Sequence, residues 1–130
     1  MLAALVVENM NVADAAGIRL EPFDEYAPDD YRAAAGGDSA VLARAMTSIA
    51  THYRAATKTK TGIWRDLAVR KRQTEVGALL GATVARGTSL GVPLPLTEQL
   101  IAMVGDLESG RRAMSWANID ELVAAHRGRS

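Results

Sequence analysis

At 130 residues and 48% hydrophobic content, the chain is one domain's worth of sequence with enough apolar material for a real core, and none of its apolar runs approaches the roughly 20 residues that cross a bilayer. It has no cysteine, which excludes disulfides, thiolate metal sites and cysteine nucleophiles together; with one Phe, two Trp and three Tyr, its core must be filled by alanine and aliphatic residues, which favour helices. Net charge is zero, which argues against a nucleic-acid binder, yet residues 1–40 hold eight acids against two bases while residues 41–90 hold nine bases against two acids. Two readings of that asymmetry stand: the acidic and basic stretches neutralise each other within one fold, or a basic patch awaits an anion.

Leu2, Val6, Met10 and Ala13 recur at helical spacing, and Gly17 followed by Ile18 has the pattern of a glycine C-cap with a trailing apolar contact. The first helix thus runs close to Met1, and we expect a missing segment upstream. Met1 to Val7 is stopped by Glu8 and lacks the basic start and cleavage site of a signal peptide. The expectation is a cytoplasmic protein that does not engage a membrane.

Ile18 to Tyr26 reads as a connector. Pro28 suits a first helical position, with Asp29 and Asp30 in the first turn, and Gly36-Gly37 closes this short helix. Asp38 or Ser39 can cap the next, whose buried stripe is Val41, Leu42, Ala45, Met46, Ile49 and Tyr53. Lys58 to Thr61 is either a polar break or a continuation.

The pattern then predicts one long helix from about Thr61 to Arg86. Its apolar face changes side midway: Ile63, Trp64 and Leu67 lie on one face, and Val76, Leu79, Leu80 and Val84 on nearly the opposite one. Such a helix crosses a domain and meets different neighbours at each end. Gly77 and Gly81 suggest a close helix approach, since each costs about 1 kcal/mol against alanine. Pro93 and Pro95 end the run, Thr97 can cap a helix carrying Leu100, Ile101, Val104 and Leu107, and Ser115 or Asn118 can cap a last helix through Leu122 and Val123. No segment alternates at period two, so the fold class is all-α, about five to six helices with one long central helix, in a single domain over residues 1–130.

There is no G-x-G-x-x-G, no Walker-type loop and no βαβ pattern, so this chain alone is expected to bind no dinucleotide. His52 and His126 have no ligand-type spacing, which speaks against a metal. Ser89, Ser109 and Ser115 sit in no nucleophile-elbow context. The informative segment is KTKTGIWRDLAVRKRQTEV, Lys58 to Val76, which gathers the hydroxyls of Thr59, Thr61 and Thr74, several cations and the carboxylate of Glu75. A mid-helix carboxylate among cations could orient a substrate hydroxyl or stabilise a cationic acid. The plain alternative is a solvated face with intrahelical ion pairs, such as Asp66 with Arg70.

Asp66, then Thr74-Glu75-Val76, then Gly81, then Gly91-Val92-Pro93-Leu94-Pro95 follow one another in an order and spacing that resembles the C-terminal helical domain of ketopantoate reductases. GIWRDLAVRKRQTEV and the closing SWANIDEL resemble one branch of that family, and LAALVVENMNVADAAGIRLEPF resembles the helix and connector preceding the substrate helix. The resemblance implies a helical domain like that of 6-phosphogluconate dehydrogenase. It implies that the full enzyme also has a Rossmann domain for NADPH and reduces a 2-keto acid of the ketopantoate type in pantothenate biosynthesis. Glu75 would be the motif's glutamate, contacting the reacting oxygen or holding the lysine that protonates it, and Thr61 would stand for the substrate-binding serine. The family's catalytic lysine lies before the region where this chain begins, and Lys58 and Lys60 are not its counterparts. Gly77 replaces the motif's aspartate and Leu80 its asparagine, which leaves the keto acid open. The implied function is a substrate-binding and dimerisation domain, inactive alone, that forms a homo-oligomer and works with a Rossmann partner. The alternative is a free-standing, non-catalytic dimerisation or regulatory module derived from the same fold.

Overall fold

The computed structural model describes residues 1–24, 26–57 and 60–128, with the side chain of residue 55 left aside. Lys58 and Thr59, two members of the informative segment, lie outside the described residues. The described chain is all-α, with seven α-helices, one π-helical turn and a single isolated antiparallel bridge between Phe23 and Tyr26. It divides into two compact units, Met1–Thr59 and Lys60–Ser130.

The first unit is built from α1 (Leu2–Ala15), α2 (Pro28–Ala35) and α3 (Ser39–Ala55). Ala3 and Met10 of α1 pack with Tyr31 and Ala34 of α2, and Val6, Val7, Leu20, Tyr26, Met46 and Ile49 close around them. The α1 stop is the glycine cap the sequence announces. Gly17 has φ of 69°, and the Gly17 and Ile18 amides donate to the carbonyls of Asp14 and Ala13 at 3.0 and 2.9 Å. Pro28 opens α2 with Asp29 and Asp30 in its first turn. Asp38 caps α3, accepting from the amides of Ala40 and Val41. Two expected core members of α3 are not buried, since Leu42 and Tyr53 are exposed while Ala45 points inward. Leu2 is likewise exposed, and Ala3 takes its place in the core. Arg32 reaches both carboxylate oxygens of Asp14 at 2.8 and 2.7 Å, and Arg44 pairs with Asp30 at 2.8 Å.

The second unit departs from the expected long helix. The stretch is broken into α4 (Gly62–Arg65), a π-helical turn at Asp66–Arg70, an irregular segment to Glu75, and α5 (Val76–Leu90). The reason is physical. Lys71 turns the chain into the left-handed region, with φ 51° and ψ 49°. The Thr74 amide then bonds to the Glu108 side chain at 2.8 Å rather than to a helix carbonyl. Among the described residues the α-helices number seven, not five or six, and no single helix dominates.

Gly91, with φ of 70°, closes α5, and the Val92 amide returns to the Gly87 carbonyl at 2.9 Å. Pro95 starts α6 (Pro95–Glu108), which packs on α5 and on α7 (Ala117–Arg127). Leu94, Leu96, Met103, Val104 and Leu122 are buried here. Thr97 is not the cap of α6 but a fully buried residue of its first turn. Neither Ser115 nor Asn118 caps α7; Trp116 occupies that position, and the Asn118 amide group donates to the Ala113 carbonyl at 3.0 Å. The close helix approach that Gly77 and Gly81 suggest is not found: among the described residues, a Cβ at either would have nothing within 4 Å.

Candidate functional site

The segment Lys60 to Val76 forms one edge of the second unit. Thr61 sits at its start as the N-cap of α4, where its hydroxyl oxygen accepts from the Trp64 amide at 3.1 Å. That role uses an acceptor lone pair and leaves the hydroxyl proton able to donate. The Lys60 ammonium lies 4.9 Å from the centre of the Trp64 ring, a cation–π distance.

Asp66 organises the middle. One of its oxygens, Oδ1, accepts from Arg70 Nη1 at 2.8 Å and from Arg72 Nε at 2.9 Å, and its backbone carbonyl takes the Arg72 amide at 3.1 Å. The Arg70 bond, then the Arg72 bond, hold the Asp66 carboxyl below the usual carboxylate range. Asp66 and Arg70 thus form the ion pair that spacing suggests, with Arg72 added by the turn at Lys71.

Thr74 and Glu108 form the inner joint. Glu108 Oε1 accepts from the Thr74 amide at 2.8 Å and from the Thr74 hydroxyl at 2.6 Å, while Thr74 Oγ1 accepts from the Val76 amide at 3.2 Å. Thr74 and Val76 are both buried. Glu108 is a residue that sequence reasoning did not single out. It lies 34 positions from its partner, so no local pattern could have pointed to it.

Glu75 stands between these two buried residues. It is not in mid-helix, where the sequence pattern puts it. It occupies the N-cap position of α5 with its side chain exposed. Its carboxylate makes no hydrogen bond or ion pair with any described residue, while its backbone is fixed by buried neighbours on both sides. An unpartnered carboxylate on a rigid backbone can accept a hydrogen bond from a substrate hydroxyl or face a cationic acid. Thr61 and Glu75 lie at opposite ends of the segment, and no contact joins them directly.

Beside this edge lies a groove of about 520 Å³, lined by Leu67, Ala68, Lys71, Arg72, Leu107 to Gly110 and Arg112 to Met114. Arg112 is fixed there by Glu121, with bonds of 2.6 and 3.2 Å, and by the Asn118 oxygen at 3.1 Å. The Glu121 bond raises the Arg112 pKa and lowers that of Glu121.

Among the described residues, no group of three or more His, Asp or Glu is placed to hold a metal ion, and no helix is long and apolar enough to cross a membrane. The described residues form no βαβ unit, and the sequence has no glycine-rich dinucleotide loop, so they offer no cradle that fits a nicotinamide dinucleotide. Among family models the chain matches "Ketopantoate reductase PanE/ApbA C terminal" over residues 1–108. No curated protein matches the chain, and no solved structure does.

Proposed function

The chain belongs to the ketopantoate reductase family, whose C-terminal domain model it matches over most of its length, and on that premise we propose that it is the substrate-binding and dimerisation domain of an NADPH-dependent 2-keto acid reductase. The observation that carries the reading is Glu75: a carboxylate with a fixed backbone, an exposed side chain and no partner among the described residues.

In this reading Glu75 accepts a hydrogen bond from the substrate oxygen as it becomes a hydroxyl, or holds the ammonium that protonates it. The Thr61 hydroxyl, whose oxygen already caps α4, donates a hydrogen bond to the substrate carboxylate. NADPH supplies the hydride when bound, and it is bound by a Rossmann domain on another polypeptide segment. The protonating lysine comes from that segment too. The protein works in the cytoplasm.

Self-association belongs to the same proposal. Leu79, 61% exposed, lies on the outer side of α5 with exposed Ala78 and Ala82, beside two glycines that no neighbour approaches. A helix this apolar is not an ordinary solvated surface.

The test is reconstitution. The chain is mixed with a family Rossmann domain carrying the lysine-bearing helix, and nicotinamide absorbance is followed with ketopantoate and other 2-keto acids. The chain alone gives no turnover. The mixture gives turnover that Glu75→Gln lowers by about a hundredfold or more, the usual scale for a positioned acid–base group. Turnover by this chain alone, or a reconstituted activity indifferent to Glu75→Gln, would refute the assignment.

A further inference from the structure

The groove beside the π-helical turn is separate from Glu75 and Thr61, neither of which lines it. Its volume falls within the ordinary range for small-molecule sites, and its wall is chemically divided. Lys71, Arg72 and Arg112 bring three cations to it, and Leu67, Leu107 and Met114 supply apolar surface.

The state of the cations matters more than their number. Arg112 is spent structurally on Glu121 and Asn118. Arg72 gives only its Nε to Asp66, and its two terminal nitrogens bond to no described residue. The Lys71 ammonium has no hydrogen bond or ion pair with any described residue. Lys71 is also held in the left-handed backbone region, where a glycine or asparagine would sit more easily. It follows directly on a π-helical turn, a rare element found frequently at functional sites. A strained backbone that carries an unpaired cation to the wall of a groove is a reason to ask what that cation meets.

Glu108 bounds what the ligand can be. Its Oε1 is occupied twice by Thr74, and Glu108 itself lines the groove. A bare polyanion would meet that carboxylate. A molecule with a single anionic end and an apolar body can keep its charge at Lys71 and Arg72 and lay the rest along Leu67, Leu107 and Met114.

We propose that this groove is a second binding site, separate from that of the keto acid substrate, for a small molecule ending in one carboxylate or phosphate group and carrying an apolar body, with Lys71 and the outer nitrogens of Arg72 as its anion receptors.

The test is an amide and methyl NMR titration of the full chain at constant ionic strength, with inorganic phosphate as one probe and 4-methylpentanoate as the other. Saturable shifts centred on Lys71, Arg72 and the Met114 methyl support the site. Tighter binding of 4-methylpentanoate than of acetate supports recognition of the apolar body, and saturation by phosphate without any by 4-methylpentanoate overturns it. Lys71→Gly is the informative variant, because glycine suits the left-handed conformation and leaves the fold intact. Its thermal midpoint without probe stays level or rises. Its affinity for the probe falls about tenfold, the scale of one lost charge-assisted hydrogen bond. The proposal is overturned if neither probe gives a saturable shift, if the shifts spread equally to Arg54 and Arg86, or if Lys71→Gly binds as the parent does.

Discussion

Asp66 shows how one residue converts a charged run into a defined surface. In the sequence Arg70-Lys71-Arg72 is three adjacent like charges, which repel one another. In the fold Asp66 takes Arg70 and Arg72 on the same oxygen, and Lys71, in the left-handed backbone region, pairs with no described carboxylate. This arrangement depends on pH with a definite sign. The Asp66 carboxyl is depressed in the folded chain, mainly by its bond from Arg70 and next by that from Arg72. A group with a lowered folded pKa binds fewer protons when native, so its contribution is complete above the ordinary value of 3.8 and is lost as pH falls from there through the lower folded value. Glu121, lowered by Arg112, acts in the same direction. Urea unfolding measured from neutral pH down through this acid range should show a loss of stability that is shallower in Asp66→Asn. An Asp66→Asn variant with the same acid slope as the parent would show that the pair contributes nothing. The Asp66–Arg70 pairing was legible from i, i+4 spacing, but the Arg72 bond depends on the turn at Lys71 and was not.

At the scale of elements, the ends of helices were the most legible features and the long helix the least. Gly17, Pro28 and Asp38 mark boundaries through local chemistry: a left-handed glycine, a ring that fixes φ, a carboxylate beside free amides; Pro95, which the sequence offers as a stop, opens α6 instead. The break between Arg70 and Val76 has no such local mark. Its apolar residues keep helical spacing and merely change face; the chain leaves the helix at Lys71, in the left-handed region, and Thr74 then bonds a carboxylate 34 residues away. Thr97 was misread for the reverse reason: a threonine after two prolines has the local chemistry of a cap, yet it lies within the first turn of α6 and is wholly buried. The joint between Thr74 and Glu108 should therefore hold the start of α5 to the end of α6. Glu108→Ala removes the acceptor of two hydrogen bonds and leaves the buried Thr74 amide and hydroxyl unpaired. It should destabilise the chain by about 2 kcal/mol, measured by urea unfolding, as is typical when buried polar groups lose a charged partner. Thr74→Val should recover part of that loss in the Glu108→Ala background, because it removes one of the stranded groups. Additive losses in the double variant would show that the two side chains do not act through each other.

For the whole molecule, the charge asymmetry resolves partly within each unit. In the first, Arg32 and Arg44 answer Asp14 and Asp30; in the second, Asp66 answers two arginines, while Lys71, like Arg65 and Arg86, has no ion pair with a described residue. The apolar balance does not close in the same way. The α5 sequence from Val76 to Ala85 contains no charged residue, yet Val76 is the one residue in that stretch to be buried. The two-sided apolar pattern of this region was legible, and so was the oddity of Gly77 and Gly81. The close helix approach that these glycines suggest is not found, since no described neighbour lies within 4 Å of a Cβ built at either. If this face is where copies of the chain meet, light scattering should show mass rising from monomer to dimer with concentration. Leu79→Asp should weaken that association by about thirtyfold or more, the scale of about 2 kcal/mol for a buried apolar contact at an interface. Because Leu79 is exposed in the single chain, the same variant should leave the thermal midpoint of the monomer within a degree or two. A loss of folding in Leu79→Asp would place the residue in this chain's own core, and a strict monomer at every concentration would remove dimerisation from the function proposed for the domain.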